Sequence, residues 1–172
     1  MALQAWITVK GAKQGPFKSE ATIGMRRDKW MPVLAFTMGM TSPRDAATGQ
    51  ASGKRQHQPV TIVKTWGAAS PQALTACSAN EVLTEVDIEF TKPSTTGGED
   101  VVYQSVRLTN AAFSHIARFT GRPDGAEDTP SSGHTGTSDI MELERWAFTF
   151  QKIEVQDNDG RTSFADNWTV TV

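Results

Sequence analysis

A single cysteine, Cys77, stands in a chain of 172 residues, so no disulfide can close within it. Its neighbours Ala73 and Leu74 place it on the apolar side of a helical segment, where a thiol is a small packing group rather than a nucleophile. No stretch approaches the ~18 consecutive apolar residues of a membrane-spanning helix. The opening residues, Met1-Ala2-Leu3-Gln4-Ala5-Trp6, have neither the basic nor the apolar region of a signal peptide, so a cytoplasmic location is expected. An excess of charge is also missing: 17 Lys and Arg stand against 19 Asp and Glu, a net charge of −2. Nothing electrostatic favours a nucleic-acid or membrane partner. The three histidines, His57, His115 and His134, are scattered and have no cysteine or paired-histidine spacing, so no metal and no cofactor is expected. The apolar fraction is only 38%, which suits a fold with a broad wet face.

The clearest structural signal lies between Gly53 and Phe90 and reads as strand, helix, strand. Val60 to Trp66 is rich in β-branched residues and follows Pro59, a tolerated strand-start position. Ser70 is an N-cap candidate, Pro71 suits the first helical position, and Asn80 suits a left-handed C-terminal position. Ala73, Leu74 and Cys77 form the expected buried face. Val86, Ile88 and Phe90 then alternate with Glu85, Asp87 and Glu89, the period of a half-buried strand.

Elsewhere alternation predicts a first strand (Leu3, Ala5, Ile7, Val9), then a basic turn-rich connection over residues 10–29. A central strand is predicted over residues 30–40, weakened by Pro32. Residues 41–57 form a long polar loop. Residues 93–100 are a hairpin loop, followed by an extended run in which Val102, Val106 and Leu108 share a face. Residues 120–139 form a second long loop. Residues 141–155 read as a long strand with bulges near Glu144-Arg145 and Gln151-Lys152. Asp159-Gly160 is a hairpin turn into a last strand carrying Trp168, Val170 and Val172. The expectation is one mainly β domain over residues 1–172, a closed β-barrel of roughly seven to nine strands with one short α-helix.

Several motifs in register resemble the haemolysin-coregulated protein (Hcp) family, the tail-tube subunits of bacterial type VI secretion. They are Lys54-Arg55-Gln56-His57-Gln58-Pro59-Val60 with Lys64, Ser70-Pro71-Gln72-Ala73-Leu74, Leu108-Thr109-Asn110-Ala111, Phe148-Thr149-Phe150-Gln151-Lys152-Ile153-Glu154 and Asp166-Asn167-Trp168. The segment from Lys29 to Phe36 resembles the family's second strand. The resemblance implies a structural subunit that forms hexameric rings, stacks into an expelled tube, and meets spike, sheath and effector proteins. It also implies cytoplasmic assembly followed by export without a signal peptide. With the chain ending at Val172, no fused toxin domain is expected. The alternative is a monomeric barrel holding a small apolar ligand, against which the many Trp, Phe and Val side chains argue for a filled interior.

No enzyme is indicated. Gly49 to Lys54 is one residue short of a phosphate loop, and Arg55 stands where a metal-binding hydroxyl is needed. Asp157-Asn158-Asp159-Gly160 lacks the acidic first and twelfth positions of a calcium loop once Gly160 is set at the sixth, where Val155 and Asp166 fall. Glu85, Asp87 and Glu89 read as a solvated strand face. The 17-residue loop over residues 41–57 is instead expected to reach a neighbouring copy. Pro43, Arg44, Lys54, Arg55 and His57 are its candidate interface residues, with Glu85 and Glu89 as acidic partners across the contact.

Overall fold

The computed structural model describes residues 4–19, 29–121 and 141–168. Leu3, most of the second long loop with His134, and Val170 and Val172 lie outside these. Alternation sets the main sheet. β1 (Gln4–Gly11) runs antiparallel to β8 (Leu83–Lys92), which pairs with the first half of β9 (Val101–Gly121). On its other edge that half of β9 pairs with β11 (Lys152–Asp157), which forms a hairpin with β12 (Thr162–Asn167). The registers align Ile7, Ile88, Val106 and Val155 in one row and Val9, Val86, Leu108 and Ile153 in the next. A period of two therefore turns one parity of β1, β8, the first half of β9 and β11 toward the core.

The second half of β9 pairs with β10 (Met141–Thr149), which pairs with β7 (Val60–Thr65) and through it with β4 (Ala35–Thr37). Here Ile116, Trp146, Ile62 and Phe36 align. Between the two halves sits an aromatic group: Phe113 lies 4.9 Å from Phe148 and 5.5 Å from Trp146, ring centre to ring centre, within the range of favourable offset and edge contacts.

Mainly β with one short helix is thus the architecture, but the ladder does not close into a barrel. The hydrogen-bonded order runs from β2 (Gly15–Pro16), paired with β1, to β4, and no ladder joins these ends among the described residues. The reason lies in residues 30–40. They form short pieces rather than the single central strand expected: β3 (Met31–Val33) pairs with β1, β4 pairs with β7, and β5 (Met40–Thr41) leaves the sheet. Pro32 supplies no ladder donor opposite Trp6, and at Leu34 the chain changes partner, its N–H reaching the Val63 carbonyl at 2.8 Å. Leu34, Met38 and Met40 are left exposed.

Helix α1 (Ser70–Ser78) has the expected extent but a different capping residue and a different face. Ala69 is the N-cap, and Ser70 is the first helical residue. The Ser70 hydroxyl accepts the Gly67 N–H at 2.9 Å and donates to Glu144 Oε1 at 2.9 Å. Ser70, Ala73 and Ala76 are buried, Cys77 is half-buried against the core, and Leu74 is 42% exposed. Small residues let this short helix lie close against β9, and a leucine there would hold it off. At the other end Asn80 takes φ 49°, with the Asn80 and Glu81 N–H groups bonding back to Cys77 and Ala76. That is a Schellman ending.

The run over residues 141–155 breaks where expected at Gln151, whose N–H reaches the carbonyls of Thr109 and Asn110, both at 3.2 Å. The other irregularity is not at Glu144-Arg145, which pair continuously. It falls between Ala147 and Phe148, opposite an extra residue, Ser114, in β9.

Candidate assembly surface

The long loop is a hairpin with its own hydrogen bonds. β5 pairs with β6 (Gln56–His57), Arg44 bridges Ala51, and the Ser52 N–H reaches the Pro43 carbonyl at 3.0 Å. Asp45 closes the tip: Oδ1 accepts the N–H groups of Ala47 and Thr48 at 2.9 and 2.8 Å, and Gly49 supplies the φ of +70° that ends the turn. These bonds hold Asp45 below its usual carboxyl pKa, the Thr48 N–H first. The long polar loop is thus shaped within one chain, by Asp45 and the Met40–His57 pairing.

At its root the hairpin meets the end of β12. Asp166 receives a two-pronged bond from the Arg55 guanidinium, a 2.7 Å contact with His57 Nε2, and the N–H of Asn167 at 2.9 Å. The His57 side chain is 5% exposed and lies between the rings of Phe150 and Trp168. The Arg55 guanidinium, opposed by burial and assisted by His57, holds the Asp166 carboxyl far below the ordinary range. Between hairpin and strand lies a cleft of 490 Å³, lined by Pro43, Lys54, Arg55, His57, Asp166 and Trp168 among others.

A second polar surface lies on the outer parity of β8, β9 and β11. Arg107 donates from Nε to Asp87 Oδ1 at 2.7 Å and lies 3.2 Å from Glu85. Asp87, sharing a hydrogen bond with Glu85 and repelling its charge, pushes the Glu85 pKa up against the pull of Arg107 and Lys10. Glu89 sits two residues on, opposite Ser105.

Lys64 of the sequence motif is fully buried. Its Nζ lies 3.2 Å from Glu144 Oε1, donates to the Thr65 carbonyl at 2.6 Å, and sits 5.2 Å over the Trp146 ring. Glu144 is equally buried, and the Arg118 Nε lies 3.8 Å from its other oxygen. This group ties β7, β10 and the start of α1 together.

Of the residues singled out in the sequence, Pro43, Arg44, Lys54, Arg55 and His57 do share one hairpin. Glu85 and Glu89 are not beside it. The ladder Glu85–Thr109–Lys152–Asn167 separates them by three strand spacings, roughly 14 Å. Arg55 is already engaged within the chain, and Glu85 already has Arg107. Asp166, Arg107 and Glu144 were not singled out as partners. Asp166 lay inside a quoted motif, and its separation of 111 residues from Arg55 hid the pairing.

Among the described residues no cluster of three or more His, Cys, Asp or Glu is placed to hold a metal, and no helix is long and apolar enough to cross a membrane. Residues 8–156 match the family described as "Type VI secretion system effector, Hcp". The "Major exported protein" of Pseudomonas aeruginosa is 30% identical over 176 residues, covering 98% of this chain and 96% of that protein. A crystal structure of an Hcp protein superposes with a TM-score of 0.80 at 22% identity, over 96% of this chain and 99% of the other. The secreted protein Hcp3 from Pseudomonas aeruginosa gives 0.73 at 25% identity, over 98% and 100%. The chain belongs to the Hcp family of type VI secretion proteins, a family of structural tube subunits and not of enzymes.

Proposed function

We propose that this chain is a single-domain subunit of the secretion tube, that six copies close into a ring, and that rings stack through the hairpin 40–57. The observation that carries this reading is the hairpin itself. It stands on a polar root, with Leu34 and Met38 exposed on the segment leading into it and Met40 exposed at its first position. Exposed apolar side chains on the segment that enters the hairpin suit a protein partner. Arg44 and Lys54 remain on the hairpin's exposed side, suited to a carboxylate such as Glu89 of a neighbouring copy. A head-to-tail contact of this kind closes only when its rotation divides a full turn.

Closure of the sheet into a barrel fits the same reading. Residues 31–37 touch β1 at one end and β7 at the other, and a small straightening at Leu34 would join the two ladders. The tube would be built in the cytoplasm and exported through its own apparatus, meeting spike and sheath proteins and carrying effectors in its lumen. Negative-stain imaging across a concentration series tests this. Closed rings are expected, and an 18.7 kDa monomer persisting at millimolar concentration overturns it. Replacing residues 43–52 by a short Gly-Ser turn should leave circular dichroism unchanged and abolish stacking; stacks at the wild-type concentration would remove the hairpin from the interface.

A further inference from the structure

We propose that Asp166 is the positioning residue of the hairpin 40–57, setting within one protomer the angle at which that surface is presented. What the hairpin does rests on the tube reading above; how it is held rests on geometry alone. The bonds inside the hairpin, from Met40–His57 to Asp45–Gly49, set its shape but not its direction. Direction comes from the root, where Arg55 and His57, two residues apart, both turn onto the one carboxylate of Asp166.

The latch is complete without a partner. The Asp166 oxygens accept two bonds from Arg55, one contact from His57 and the Asn167 N–H, which fills the acceptor capacity of a carboxylate. His57 also lies against Phe150 at 5.3 Å and Trp168 at 5.8 Å, contacts that favour its place beside the carboxylate. An open cleft of 490 Å³ lies at this root between the hairpin and the end of β12, and Arg55, His57 and Asp166 are part of its lining. The Arg55–Asp166–His57 clamp at the base, with the Phe150 and Trp168 rings beside it, therefore aims the hairpin. A surface aimed before contact spares a neighbouring copy the cost of ordering it.

Asp166→Asn tests this, because it keeps the side-chain size and removes the charge. Hydrogen–deuterium exchange on dilute protein should show peptides over residues 40–57 exchanging about tenfold faster, with β9 to β11 unchanged. The concentration at which wild-type protein forms stacks should rise by about tenfold, and Asp166→Glu should recover part of both effects. Unchanged exchange over residues 40–57, or acceleration spread over the whole sheet, overturns the proposal. Faster hairpin exchange with unaltered stacking overturns its link to assembly. If Asp166→Asn does not fold, Arg55→Gln and His57→Gln, each removing one donor, carry the same expectations. A wild-type chain that never stacks refutes the tube reading, while the exchange result still decides whether Asp166 holds the hairpin.

Discussion

Replacing Glu144 by leucine should be the most damaging single change in the buried polar group. The substitution removes the charge facing Lys64 Nζ at 3.2 Å, in a place where both side chains have no solvent exposure. It also strands the Ser70 hydroxyl that donates to the same oxygen. Lys64 keeps the Thr65 carbonyl and the Trp146 ring, but neutral groups do not compensate a buried ammonium for the loss of its carboxylate. Breaking a buried pair from one side costs about 3–5 kcal/mol, against a total stability of about 5–15 kcal/mol for a domain of this kind. Removing both charges should be far milder, so Lys64→Met with Glu144→Leu is expected to recover at least about 2 kcal/mol of the loss. The assay is urea unfolding followed by tryptophan fluorescence on dilute protein, for the wild type, both single variants and the double variant. Similar slopes against urea would confirm that stability and not denatured-state compactness has changed. A cost below about 1 kcal/mol for Glu144→Leu, or additive single variants, would refute the account of this pair as tightly coupled.

Leu74→Ala should lower stability by less than about 1 kcal/mol, because the side chain lies on the wet side of α1, whereas Ala73→Leu should cost about 1–3 kcal/mol by overpacking against the core; denaturant titration separates them. A Cβ added to Gly11 would lie 2.5 Å from Glu81 Oε1, the oxygen that accepts the N–H groups of Lys13 and Gln14, so Gly11→Ala should destabilise by roughly 1–3 kcal/mol in thermal unfolding. The Asp166 carboxyl has a folded pKa below its unfolded value. Its stabilising effect should therefore be complete above about pH 4–5 and fade as acid protonates it, and Asp166→Asn should flatten the acid limb of a stability-against-pH curve.

The parts of the fold legible in the sequence are those encoded by near neighbours. Val86 and Ile88 alternate with charged residues, and their strand could form only with that face inward. Asn80 marked the end of α1 because few other residues accept a positive φ. The face of α1 was not legible. In nine residues the apolar spacing fits more than one side, and the choice of Ala73 and Ala76 over Leu74 is made by the closeness of β9 and by Glu144. The order inside residues 41–57 was missed for a related reason. Met40 and His57 pair across the whole excursion, and no local period announces such a contact. The candidate site divides the same way: its hairpin residues were singled out from the length and composition of the loop, while the partners of Asp166 and Arg107 depend on which strands lie side by side.

The 21-residue strand β9 makes the chain unforgiving of changes in length. Its first half faces β8 and β11, its second half faces β10, and the two halves are phased by Asn110, at φ 49°, and the unpaired Ser114. Inserting or deleting one residue between Leu108 and Ile116 would turn one half of the strand over relative to the other, sending Val106 and Leu108 or Phe113 and Ile116 to the wrong side. The same change in the loop 93–100 would alter only a turn. In this fold the tolerated and the lethal indels therefore lie about a dozen residues apart on one hairpin, and family members that differ in length should differ at the loop and keep the count along the strand.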